Sequence, residues 1–327
     1  MTARGLARRY SGLVCDLDGV VYAGDRAIEH APETLNALTV PVIFATNNAS
    51  RTPHRVGEHL RRLGVNTTDE AVLTSAQAAA RVLARDLPSG SPVLAIGGPG
   101  VGEALRAAGL RPVGSDGELP MAVVQGFGQA VTAADLAEAA HAIRAGARWV
   151  ATNDDVTVPT ERGPAPGNGS LVAAVRMAVE VDAEVIGKPH PPMYQMAAEV
   201  LGLAPPRMIA VGDRLETDIR GAVATGMSGA LVLTGVHGPA DAAAAPRELR
   251  PDFIMTDLRG LLEEYPSAAR DGDWYIRGTA RARLTAKGLD VDGDGLDAVR
   301  ASLDALWAAV DAGHLRGDEA GELLTSG

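Results

Sequence analysis

Short hydrophobic runs recur along the chain, and several of them stop abruptly at a polar cluster. Leu13-Val14-Cys15 reads as a buried strand and runs into Asp16-Leu17-Asp18-Gly19. Ala31 to Leu38 and His54 to Leu63 carry helical spacing, with Pro41 to Ala45 as a short apolar strand between them. That strand–helix order predicts a parallel sheet. From about Ala76 to Val185 the alternation restarts. Val93–Ile96, Ala122–Val124 and Trp149–Ala151 read as strands, and Gly102–Ala108 and Ala133–Ala145 as helices. The first pattern then resumes with a strand ending at Glu184-Val185-Ile186, a helix over Pro191–Leu201, and strands at Met208–Val211, Ala230–Leu233 and Phe253–Met255. The pattern predicts an α/β core built from residues 1–75 and 186–264, interrupted by an inserted α/β cap over 76–185.

After Tyr265 the texture changes, and residues 265–327 read as a small α+β appendage. Asp273–Ile276 and Ala282–Leu284 suggest two strands. Leu296, Val299, Leu303, Leu306, Trp307 and Val310 form a stripe at helical spacing, which predicts a core or docking face. Between them Asp290-Val291-Asp292-Gly293-Asp294-Gly295 imitates the start of a calcium loop. The twelfth position is Ala301, where a bidentate Glu is required, so the run reads as a turn and helix start. Gly97-Gly98-Pro99-Gly100 imitates a nucleotide loop, but Glu103 stands where its last glycine would fall, which leaves a strand-to-helix turn. Thr152 to Gly169, rich in Pro and Gly, reads as a long loop, either a substrate lid or plain surface.

Composition narrows the function classes. The 327 residues are 46% hydrophobic and 22% charged, as in a folded globular protein. A net charge of −11 argues against a nucleic-acid backbone binder, which needs clustered Lys and Arg. It leaves room for small anionic substrates, because one Lys and a divalent cation can reverse the local field. The single cysteine, Cys15, excludes an intramolecular disulfide and a Cys-rich zinc site, and reads as a small buried residue. No signal-type apolar stretch and no membrane-length apolar run occurs, so a cytoplasmic location without membrane association is expected.

The polar clusters at the strand ends are the candidate chemistry. Side chains alternate along a strand, so Asp16 and Asp18 would point the same way. Two buried anions that close call for a cation between them, unless one caps a helix and the other sits in a turn. Thr46, Asn47 and Asn48 offer donors that cap a helix or hold a phosphate. Lys188 follows a strand end, and Asp213 and Asp218 follow another. In a parallel sheet all four strand ends would reach one edge.

In that order, Asp16-x-Asp18, Thr46, Lys188 and Gly212-Asp213-x4-Asp218 resemble the DxD, Ser/Thr, Lys and GDxxxxD motifs of the haloacid dehalogenase superfamily. The insertion between the second and third motifs is similar to that of the class IIA, para-nitrophenylphosphatase-like branch. The resemblance covers residues 10 to 264 and implies a Rossmann-like core with a cap. It implies Asp16 as nucleophile, forming an aspartyl-phosphate, and Asp18 as the group that protonates the leaving alkoxide and then activates water. It implies Mg²⁺ held by Asp16, the Asp18 backbone carbonyl and Asp213, with Asp218 indirect. Thr46, Asn47 and Asn48 would hold phosphoryl oxygens, and Lys188 would offset their charge.

The same resemblance points Asn153, Asp155 and Pro159 of a cap loop at the substrate. That substrate would be a small phosphorylated metabolite: glycerol phosphate, phosphoglycolate, pyridoxal phosphate or a phosphosugar. Val158 is aliphatic where some relatives acting on aromatic substrates carry a histidine, which favours a small polyol phosphate. The tail makes the chain similar to glycerol-3-phosphate phosphatases carrying a reduced GNAT-like region, and it shows no acetyl-CoA pyrophosphate loop. A homodimer through the cap is a further expectation from the resemblance. The rival is a ligand-binding or regulatory protein on the same fold; retention of Asp16, Asp18, Thr46, Lys188, Asp213 and Asp218 weighs against it.

Overall fold

The computed structural model describes residues 5–114, 118–158, 160 and 162–325. They form two compact units. One holds the residues up to Val42, Leu63–Val65 and those from Leu203 onward; the other holds Ile43–Arg62 and Asn66–Gly202.

In the first unit four parallel strands lie in the order Phe253–Met255, Ser228–Val232, Met208–Gly212, Gly12–Cys15. Gly12–Cys15 and Met208–Gly212 are buried at every position, as strands covered on both faces must be, and this is why they read as continuous apolar runs. Cys15 is fully buried. Register carries the chemistry forward. Cys15 pairs with Val211, and the Asp16 N–H donates to the Val211 carbonyl at 2.9 Å. Asp16 and Asp213 therefore leave two neighbouring strands at the same edge.

The tail belongs to this unit. Its four antiparallel strands are Ala268–Asp271, Trp274–Arg277, Ala280–Thr285 and Gly288–Asp292, followed by helices Gly295–Asp311 and Gly317–Thr325. Sequence reading finds the middle two strands only. Ala268–Asp271 is exposed throughout and shows no apolar alternation, while Gly288–Asp292 is hidden inside the aspartate run. The helical stripe is a docking face within the chain. Leu303 and Leu306 are buried with Ile219, Leu231 and Ile254, and Leu296, Val299, Trp307 and Val310 pack around them. Trp307 Nε1 donates to the Ala242 carbonyl at 2.8 Å, which satisfies the indole as it is covered.

In the second unit five parallel strands lie in the order Glu184–Val185, Arg148–Ala151, Ala122–Gln125, Pro92–Ile96, Arg111–Val113. Val42–Thr46 pairs in parallel with Val72–Thr74. Two expectations change here. The strand before Lys188 is only two residues long and pairs with Arg148–Ala151, so it closes the inserted sheet and does not resume the first one. The supposed long loop contains a hairpin, Thr157–Val158 with Ala165–Pro166, and then a helix over Asn168–Val179. Gly167 and Gly169 masked the start of that helix. Pro159, expected at the substrate, lies outside the described residues. The Gly97–Gly100 run is the expected turn between a strand and the Pro99–Ala107 helix. A Cβ on Gly100 would stand 2.5 Å from the Ala49 carbonyl oxygen, so its glycine permits backbone contact. Among the described residues no helix is long and apolar enough to cross a membrane.

Candidate active site

Three acids gather at the strand edge of the first unit. Asp16, Asp213 and Asp218 each offer a carboxylate oxygen, and these oxygens lie within 4.8 Å of one another. Asp213 follows directly on the Met208–Gly212 strand. The chain then enters a widened helical turn over Leu215–Ile219, in which the N–H groups of Asp218 and Ile219 both return to the Arg214 carbonyl, at 3.0 and 3.2 Å. Such π-type turns are rare and concentrate at functional sites. Here the turn brings Asp218 back beside Asp213, and its Oδ2 accepts the Arg214 N–H at 3.2 Å.

The surroundings hold Asp213 in place. The Val236 N–H donates to its Oδ2 at 2.8 Å, and the His237 N–H donates to its carbonyl at 3.1 Å. His237 Nδ1 accepts the Leu215 N–H at 3.0 Å, which leaves the ring proton on Nε2, 3.4 Å from Glu216. Gly19, at φ 82°, and Gly235 both face this carboxylate, and a Cβ on either would collide with it. Asp213 and Asp218 are each only 2% exposed. Carboxylates gathered this closely in a buried setting call for a cation between them. An all-oxygen donor set of this kind fits Mg²⁺.

The gathered group does not include the Asp18 carboxylate. The first strand ends at Cys15, so the alternation that would align Asp16 with Asp18 does not apply. Asp18 instead sits on a tight turn, bridged to Tyr22, with the Gly19 N–H donating to the Tyr22 carbonyl at 2.9 Å. Its side chain is exposed. The acids that gather with Asp16 are the two from the distant 213–218 turn.

The second unit gathers the polar residues. Thr46 is buried and its Oγ1 accepts the Asn48 N–H at 3.1 Å, while Asn48 Oδ1 accepts from the Ser50 N–H and hydroxyl at 3.0 and 2.7 Å. Asn47 lies at the centre of a larger network. Its Nδ2 donates to the Lys188 carbonyl at 3.0 Å and toward the Asp155 carboxylate at 3.2 Å, and its Oδ1 accepts the Lys188 N–H at 2.8 Å. Its carbonyl accepts from Asn153 Nδ2 at 2.7 Å and Ser75 Oγ at 2.8 Å. Lys188 itself is 4% exposed.

Sequence reading missed Ser75 in this network and took Asn168 for part of a loop; Asn168 Nδ2 donates to the Asn153 carbonyl at 2.7 Å. The available signal was the Asn at the start of a helix that the glycines concealed. Beside it, the His190 ring, with Nε2 3.6 Å from the Asp154 carboxylate, holds that carboxyl below the usual range.

The arrangement of motifs agrees with what the chain resembles. A haloacid dehalogenase-like hydrolase model matches residues 13–111, and a HAD-hydrolase-like model matches residues 185–261. The D-glycerol 3-phosphate phosphatase of Mycobacterium tuberculosis is 43% identical over 313 residues, covering 94% of this chain and 88% of that protein. The acid sugar phosphatase of Staphylococcus aureus is 36% identical over 260 residues, covering 79% of this chain and 98% of that one. The crystal structure of a glycerol phosphate phosphatase from Mycobacterium tuberculosis in complex with magnesium aligns at a TM-score of 0.86 and 42% identity, over 93% of this chain and 92% of that one. The first matched segment carries Asp16 and Asp18 and the second carries Lys188, Asp213 and Asp218, and the chain belongs to the haloacid dehalogenase-like hydrolase family.

Proposed function

We propose that this chain is a Mg²⁺-dependent phosphatase that hydrolyses a small phosphomonoester, with glycerol 3-phosphate as its substrate. The observation that carries the reading is the gathering of Asp16, Asp213 and Asp218 at one strand edge. These three, with the Asp18 backbone carbonyl, would hold the ion. Bound by them, a divalent ion would offset the negative charge of the phosphoryl group.

The chain's own residues supply the rest. The Asp16 carboxylate attacks phosphorus, and the ester O–P bond breaks as the aspartyl-phosphate forms. Asp18, exposed on its turn, gives its proton to the departing alkoxide. It then takes a proton from the water that attacks the aspartyl-phosphate, releasing inorganic phosphate and restoring Asp16. Thr46 and Asn48 serve the phosphoryl oxygens, and the Lys188 ammonium offsets their charge. The cap over 76–185 selects the leaving group through the loop carrying Asn153, Asp155 and Pro159.

Glycerol 3-phosphate is favoured by the likeness to a phosphatase of that name over 94% of the chain. A phosphosugar is the second reading, supported by the likeness to an acid sugar phosphatase. The test is phosphate release with Mg²⁺ across glycerol 3-phosphate, phosphoglycolate, pyridoxal phosphate and hexose phosphates. Glycerol 3-phosphate is expected to give the highest kcat/KM. A higher value for a hexose phosphate would replace the substrate, and no release from any ester would favour the non-catalytic rival. Cap-mediated dimerisation is part of the same reading, and a monomeric mass by light scattering would remove it.

A further inference from the structure

We propose that Asn47 is a positioning residue whose carboxamide sets the placement of Lys188 and of Asp155 together, and that its side chain is not a phosphate ligand. The catalytic consequence rests on the phosphatase reading above; the structural grip does not.

A carboxamide has two donor hydrogens and one acceptor oxygen. In Asn47 the donors go to the Lys188 carbonyl, at 3.0 Å, and to the Asp155 carboxylate, at 3.2 Å, while the oxygen takes the Lys188 N–H at 2.8 Å. Both donors are committed, so none remains for a phosphoryl oxygen. The orientation is fixed as well. A flipped amide would set its oxygen against a carbonyl and a carboxylate, and its nitrogen against an N–H.

Gly187 is bare where the chain closes on it. A Cβ there would collide with the Thr152 carbonyl oxygen and would stand 2.6 Å from Asn47 Oδ1, so the residue before the lysine leaves room both for that backbone and for the amide. Lys188 is thereby gripped through both its N–H and its carbonyl, which fixes the root of a side chain that is itself buried. The Asn47 carbonyl extends the same grip to Asn153, two residues before Asp155. One residue thus ties the strand carrying Thr46 to the lysine and to the cap loop. Reacting groups displaced by an ångström can lose about 100-fold in rate, so such a tie has leverage without touching substrate.

Asn47→Asp keeps the shape and replaces the donor with an acceptor that faces Asp155. It is expected to lower kcat/KM for glycerol 3-phosphate about 100-fold. Adding Asp155→Asn restores a donor across the pair, and the double variant is expected to recover about tenfold over Asn47→Asp alone. Additive losses in the two variants would overturn the proposal, because a phosphate ligand gains nothing from a change at Asp155. Amide hydrogen exchange in the peptide spanning Lys188 provides a readout independent of turnover. Asn47→Ser and, separately, Asn47→Ala are expected to speed that exchange about tenfold, and wild-type protection in both would overturn the grip. A wild-type protein that hydrolyses no ester, yet shows the faster exchange in these variants, would sink the phosphatase reading and leave Asn47 as the tie.

Discussion

Two acid-rich regions of the first unit differ in what their carboxylates face. In the tail four of them meet a guanidinium: Asp290 with Arg283, Asp292 with Arg281, Asp297 with Arg300 and Asp304 with Arg277. Arg281 and Arg283 also lie over the Trp274 ring, at 4.5 and 4.2 Å from its centroid, so their charge is held by acid and aromatic face at once. At the strand edge Asp16, Asp213 and Asp218 face one another. The tail has the sequence spacing of a cation loop, yet Asp290 and Asp292 of that run are paired with arginines; the site joins Asp16 to a turn some two hundred residues away in the chain. Acid density along a chain therefore says little about metal binding until the partner of each acid is known.

The comparison breaks first if Asp16 is dispensable. Asp16→Asn is expected to lower phosphate release about 10⁴-fold or more while circular dichroism stays unchanged. Activity near wild type would show that the gathered acids do no covalent chemistry. Next comes the best-covered tail pair. Arg277 and Asp304 are 17% and 16% exposed and joined by two hydrogen bonds, at 2.6 and 3.0 Å, which hold the guanidinium in its charged form. Asp304→Ala strands that charge and is expected to destabilise the fold by about 3 kcal/mol in urea unfolding, with kcat/KM intact at low temperature. A neutral result would mean the tail acids are as idle as ordinary surface pairs. The smallest effect belongs to Asp290, whose pair is 44% and 39% exposed. Asp290→Ala is expected to shift Tm by under about 2 °C and to leave the Mg²⁺ requirement unchanged. An altered requirement would make the tail a second cation site.

Much of this was legible in the sequence where elements are long or uniformly buried. Pro191–Leu201 has a helix-start proline and clear periodicity, and the core strands are unbroken apolar runs. Glu184–Val185 was misplaced because two residues carry no pairing preference, and only long-range register assigns them to the inserted sheet. The Asn168–Val179 helix was lost behind glycines that admit close backbone contact: a Cβ on Gly167 or Gly169 would meet the backbone of Asp154–Thr157. Motif order placed Asp16, Asp213 and Asp218, since resemblance reports what spacing cannot. It did not reveal that the Asn47 amide is spent on Lys188 and Asp155, which depends on hydrogen-bond direction in the folded chain.

A Mg²⁺ titration of phosphate release from glycerol 3-phosphate, run on the wild type and on Asp213→Asn, tests most directly whether the gathered acids hold the ion that the reaction needs. Release should saturate with Mg²⁺ in the wild type and stop in a chelator. The variant should need about 100-fold more Mg²⁺ for half its activity. Full-rate release in the chelator, or the same Mg²⁺ dependence in both proteins, would contradict the account.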